Sequence, residues 1–178
     1  MVGRAGRLAA QTSPPGHLSV CQCLLECWLR PRERYQEPCM GTWGTGPFDS
    51  DLAADFLDEL EGLTSQKVIE VLDRAFQRVT DSGARVDGGT GTEAVAAAAL
   101  VASTIPGSRI VIDPDDGPRE PLPQLPLALR SSAVLALQRV LQDGSELLTG
   151  WVDSADAAQW RHEVQQIAEA LGPIDHEQ

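Results

Sequence analysis

Glu93-Ala94-Val95-Ala96-Ala97-Ala98-Ala99-Leu100-Val101-Ala102 is the stretch on which the fold turns: after Glu93 it runs nine residues without a charge, and six of the nine are alanine. Alanine is the strongest helix former, and a helix with small apolar side chains on every face has no side to offer water. The segment therefore predicts a helix over 92–104 that is buried among neighbours at close distance, with Pro106-Gly107 ending it. Glu93 is the one polar group at the mouth of that helix. A carboxylate there must find a partner or shift its pKa. It is either a helix-end residue favoured by the exposed amides and the dipole, or a general base or ligand.

Outward from this segment the pattern remains helical. Asp49 or Ser50 can cap a short helix in which Leu52, Phe56, Leu57 and Leu60 recur three and four apart, with Asp51, Asp55, Asp58, Glu59 and Glu61 mostly on the other face. Thr64 caps a second helix over 65–80, with Val68, Val71, Leu72, Ala75, Phe76 and Val79 inward. Four glycines in 83–92 predict a loop. Prolines and aspartates dominate 108–126, where 109–112 is at most one extended piece lying across the helices. A further helix over 126–142 starts at Pro126 and turns Leu129, Ala133, Leu137, Val140 and Leu141 to one side. Ser145 to Leu148 makes a short helical turn leading to Trp151. Ser154 caps a last helix over 155–171, with Ala158, Trp160, Val164, Ile167 and Leu171 inward, and Gly172-Pro173 stops it. The fold class is all-α, a compact bundle-like domain of five to six helices.

Charge divides the chain. It has 178 residues, 14 Lys+Arg and 26 Asp+Glu, for a net charge of -12. Residues 1–39 hold five Arg and three acids (net +2), and residues 40–178 hold nine Lys+Arg and 23 acids (net -14). Such a step marks a boundary, so 1–39 reads as a disordered N-terminal extension and 40–178 as an acidic helical domain. An acidic surface is a poor match for nucleic acid or an anionic membrane, which need clustered Lys and Arg. The run from Leu18 to Leu29 is interrupted by Gln22 and Glu26 and falls short of the roughly 20 apolar residues of a transmembrane helix. Pro14-Pro15-Gly16 separates it from Arg4 and Arg7, which argues against a signal peptide and for a cytoplasmic protein. Cys21, Cys23, Cys27 and Cys39 do not have zinc-site spacing, since only Cys23 and Cys27 form a knuckle; no metal or cofactor is expected.

Motifs with their own chemistry are scarce. The glycines at 41, 44 and 46 precede no Lys and do not have dinucleotide-loop spacing, so they read as an aromatic-pinned cap in which Trp43 and Phe48 anchor on the core. Asp51 and Asp55 lie one turn apart with no His or second carboxylate pair placed opposite, and read as solvated surface. Counting a calcium loop from Asp113 puts Pro118 and Gln124 where Gly and Glu are required. His162 reads as surface, and Ser145 lacks a nucleophile elbow. Any carboxylate-based or metal-dependent enzyme would have to use Asp51, Glu93 and Glu146 as a convergent trio. The competing class is an acidic module that binds a basic protein. A third class, a structural or dimerising helical protein, would show a contiguous exposed apolar patch.

Three segments together carry a family likeness: Gly41 to Asp51, set against the family pattern G-x-W-G-x-G-x-F-x-[ND]-D, the alanine-rich 93–102, and S-E-L-x-x-x-W at 145–151. The chain resembles the bacterial family DUF4259 over residues 40–171. The resemblance implies a domain starting at Met40, so that 1–39 is upstream sequence read through from an early start codon, or else a real extension. It implies no activity and no catalytic residues. The candidate polar and aromatic site is Trp43, Asp49, Asp51, Glu93, Glu146 and Trp151, with Glu146 and Trp151 expected to pack near Trp43.

Overall fold

The computed structural model describes residues 44–172. Expectations for 1–43, including all four cysteines, Gly41 and Trp43, and for Pro173 lie outside the described residues. Five α-helices follow in order: α1 (Asp51–Leu60), α2 (Ser65–Thr80), α3 (Gly88–Ser103), α4 (Leu127–Val140) and α5 (Ser154–Leu171). A 3-10 turn, Glu146–Leu148, lies between α4 and α5. Among the described residues there is no strand. An isolated parallel bridge joins Val86 to Ser145.

α3 is the centre. Every residue from 94 to 102 is buried, and the helix touches each of the other four. Most of the large side chains that fill the core come from the outer helices, Leu72 and Phe76 from α2, Leu137 and Val140 from α4, Val164 and Ile167 from α5, and α3 adds Leu100 and Val101. Bulky residues outside and alanines inside let the layers interdigitate, since an alanine face admits a neighbour's leucine or phenylalanine without opening a void.

Amphipathic outer helices pack as their periodicity predicts. In α1, Phe56, Leu57 and Leu60 are buried; in α2, all six expected residues are; in α4, Leu129, Ala133, Leu137 and Val140 are. Within 109–112, Ile110 and Ile112 lean on the core while Val111 is 87% exposed, the alternation of an extended piece laid over helices.

Capping separates the candidates. Ser50, not Asp49, is the N-cap of α1, its Oγ accepting from the Ala53 amide at 3.2 Å. Thr64 holds the N-cap position of α2 without a side-chain bond. Pro126 sits just before α4 as its N-cap. Asp153 rather than Ser154 caps α5, accepting from the Ala155 amide at 2.7 Å.

Three further expectations are corrected. Residues 83–92 are not all loop: α3 begins at Gly88, and Asp87 caps it by accepting from the Thr90 amide at 2.9 Å. Gly91 serves packing, since a Cβ there would lie 2.7 Å from Leu147 Cδ1. Glu93 consequently sits in the second turn of α3, away from the orphan amides at its start. Ala158 is exposed, because the buried stripe of α5 is Trp160, Val164, Ile167 and Leu171, and a residue two before Trp160 lies roughly 200° around the helix.

Enlarging a side chain on the central helix should be costly, because no face of it is free. Ala97→Leu is expected to lower stability by about 2 kcal/mol or more, whereas Ala158→Leu should change it by less than about 0.5 kcal/mol. Urea denaturation of both variants beside the unaltered chain checks this.

Candidate functional site

The three segments that carry the family likeness meet beside the start of α1, the alanine-rich one through Val95. In the first, the backbone folds around a carboxylate. Asp49 Oδ2 accepts from the Gly46 amide at 2.8 Å, and the Asp49 amide donates to the Gly46 carbonyl at 3.2 Å. A Cβ on Gly46 would lie 2.8 Å from Asp49 Oδ2, and one on Gly44 would overlap the same oxygen. These glycines are therefore required by close approach rather than by flexibility. Thr45 Oγ1 donates to Glu163 Oε1 at 2.9 Å, fastening the segment to α5. Phe48 packs on the core, in keeping with its anchoring role.

The third segment is stitched across the start of α3. Val86 donates its amide to the Gly144 carbonyl at 3.1 Å, and Glu146 donates its own to the Val86 carbonyl at 3.0 Å. Gly144 has φ +92° and passes so close to the Ala84 carbonyl that no Cβ fits. Glu146 then divides its carboxylate: Oε2 accepts from the Gly88 amide at 3.0 Å, and Oε1 pairs with Arg85 Nη2 at 3.0 Å. It thereby satisfies an orphan amide at the positive end of α3. Leu147 seats on Gly91, and the Ser145 hydroxyl beside it is buried with no hydrogen-bond partner. Trp151 donates Nε1–H to the Leu147 carbonyl at 2.7 Å, and its ring centroid lies 6.0 Å from that of Trp160, tilted by 38°.

Between the segments is a cleft of about 40 Å³, lined by Asp49, Ser50, Thr92, Val95, Trp151 and Trp160 among others. A second cleft, of about 130 Å³, lies between the α1–α2 corner and the proline-rich loop, where Arg119 Nε pairs with Glu61 Oε1 at 3.1 Å. Both are smaller than the roughly 300 Å³ at which small-molecule pockets begin.

The six candidate residues fare differently. Asp49 and Trp151 share the cleft. Asp51 is exposed, as the first residue of α1. Glu93 forms an ion pair with Arg78 of α2. Glu146 holds Arg85 and the start of α3. Trp43 is not among the described residues, so its packing with Glu146 and Trp151 is not on view. Asp51, Glu93 and Glu146 thus have three separate surroundings, and among the described residues no three His, Cys, Asp or Glu side chains gather as a metal site would require. Sequence reasoning missed Trp160, which the helical stripe marked only as core, and the arginines that engage Glu93 and Glu146. Only the tertiary meeting of α2 with α3, and of 84–86 with 144–146, brings those arginines into play.

A family model described as a domain of unknown function (DUF4259) matches residues 41–163. No curated protein and no solved structure matches the chain.

Asp87 makes this corner sensitive to acid. Burial pushes its carboxyl up, but hydrogen bonds from Thr90 and from its own amide, helped by the charge of Arg78, outweigh that and leave it below the ordinary aspartate range. A carboxyl lowered on folding stabilises the protein above its unfolded pKa, and that stabilisation is lost as pH falls through the folded one. Asp87→Asn keeps a good cap and removes the charge, so the loss of stability below about pH 4 should be shallower than in the unaltered chain. Asp87→Ala should cost about 1 kcal/mol near neutral pH. Thermal melts across the acid range measure both.

Proposed function

We propose that this chain, which belongs to the DUF4259 family, is a protein-binding module whose partner is a basic protein of the cytoplasm. The observation that carries it is the exposed face of α1. Asp51, Asp55, Asp58 and Glu59 all face solvent, the helix contains no basic residue, and none of the four is in an ion pair among the described residues. Elsewhere the acids Glu61, Glu70, Glu93 and Glu146 are matched to Arg119, Lys67, Arg78 and Arg85.

That contrast has a free-energy meaning. Asp51 with Asp55, and Asp55 with Glu59, are like charges four apart, an arrangement that destabilises a helix by a few tenths of a kcal/mol per pair. The burial of Ala53, Phe56, Leu57 and Leu60 holds α1 in place despite the repulsion. A rigid row of carboxylates lacking cations of its own gains most from a surface that supplies them, chiefly as faster encounter and rejection of acidic competitors. A carboxylate enzyme would instead need Glu93 and Glu146 available to substrate, and both are engaged by arginine.

The test is a pull-down with the full chain from a lysate of the source cells, beside a variant in which Asp51, Asp55, Asp58 and Glu59 are all changed to Lys and a milder one with Asn and Gln in their places. A basic protein retained by the unaltered chain, weakened by the neutral variant and lost with the charge-reversed one is the expected result. Binding of the purified pair should fall by about ten-fold or more as salt rises to physiological strength. Equal retention by all three chains, or no specific retention, contradicts the proposal.

A further inference from the structure

The cleft between Asp49 and the paired indoles has a chemistry of its own, apart from the α1 face. Its charged liner is a carboxylate, and no basic side chain lines it. Asp49 uses Oδ2 to hold the Gly46 amide, while Oδ1 has no hydrogen-bond partner and the residue no ion pair among the described residues. Thr92 has its hydroxyl proton committed to the Gly88 carbonyl at 2.9 Å, so what it offers the cleft is lone pairs. Trp151 has its only donor committed to Leu147, so it offers aromatic surface, and Trp160 stands beside it at 6.0 Å. An available carboxylate oxygen, acceptor lone pairs and the half-buried indole of Trp151, backed by the buried Trp160, form a set that recognises a cation.

The opposing field is weaker. The start of α1 adjoins the cleft and carries about half a positive charge, spread over its first amides, against the full negative charge of Asp49. The volume of about 40 Å³ admits the head of one side chain and excludes a drug-sized ligand.

We infer that the cleft receives a single ammonium group, the tip of a lysine side chain on the basic partner. This rests on the protein-binding proposal for the identity of the lysine's owner, but the cleft's preference for an ammonium is measurable without any partner.

The experiment titrates the full chain, labelled with 15N at tryptophan, with n-butylammonium chloride, with its neutral relative n-butanol, and with sodium chloride at matched ionic strength. Indole signals are assigned by Trp→Phe variants. Saturable movement of the Trp151 and Trp160 signals with butylammonium alone is expected. In Asp49→Asn, which keeps an oxygen for the Gly46 amide, the affinity should fall by about five-fold or more. Equal shifts with butanol or sodium chloride, or unchanged affinity in a folded Asp49→Asn, overturn the inference; the butylammonium-to-butanol contrast in the unaltered chain decides the matter even if that variant does not fold. The two proposals separate cleanly. Loss of the butylammonium preference with the pull-down intact removes the lysine pocket and leaves the acidic face, and the converse removes the protein partner and leaves an ammonium site.

Discussion

Close packing of α3 against all four other helices is the constraint from which the remaining features follow. Because residues 94–102 are small and apolar around the whole circumference, the helix can sit in the middle, and because it sits in the middle it cannot carry a charge there. Its start must then be organised by groups outside the helix. Asp87 caps it from the preceding residue, and Glu146 reaches it from the far side of α4. Thr92 and Val95, in the second turn, become liners of the cleft that Asp49, Trp151 and Trp160 complete. The position of the cleft is thus a consequence of how the core is packed.

Asp49 and Glu146 show how one residue type does different work in different surroundings. Glu146 is turned onto an arginine and an amide and ties two pieces of backbone together. Asp49 is wrapped by glycines on one side and keeps an oxygen on the other. The carboxylates of α1 have neither kind of partner. Acidity in this domain is therefore sorted by place: Glu61, Glu70, Glu93 and Glu146 are each matched to a cation, and the carboxylates of α1 are not. Net charge alone does not reveal that sorting.

Most of the architecture was legible because it is written in local periodicity. The alanine run, the three-and-four spacing in α1, α2 and α4, and the Pro and Gly stops are all properties of short windows, and the helices lie where those windows put them. What could not be read depends on distant residues. Gly88, Gly89 and Gly91 read as loop because glycine is a poor helix former; they are helical because Asp87 caps the turn, Glu146 takes an amide and Leu147 fills the space a side chain would occupy. Glu93 was placed at a helix mouth by the same error, and Arg78 as its partner requires knowing that α2 lies against α3. In the candidate site, Asp49 and Trp151 were named from their motifs and do share the cleft, whereas Trp160 was taken only for core because its stripe is also a core stripe.

Packed on every side, α3 should be the last element to open, and the cleft beside its second turn should persist as long as it does. Native-state hydrogen exchange of the full chain tests this most directly. The amides of 94–102 should exchange only through global unfolding, with an opening free energy equal to that from urea denaturation, while those of α1 and of 144–151 open at lower cost. Exchange of α3 through a sub-global opening, with the outer helices still protected, would contradict it.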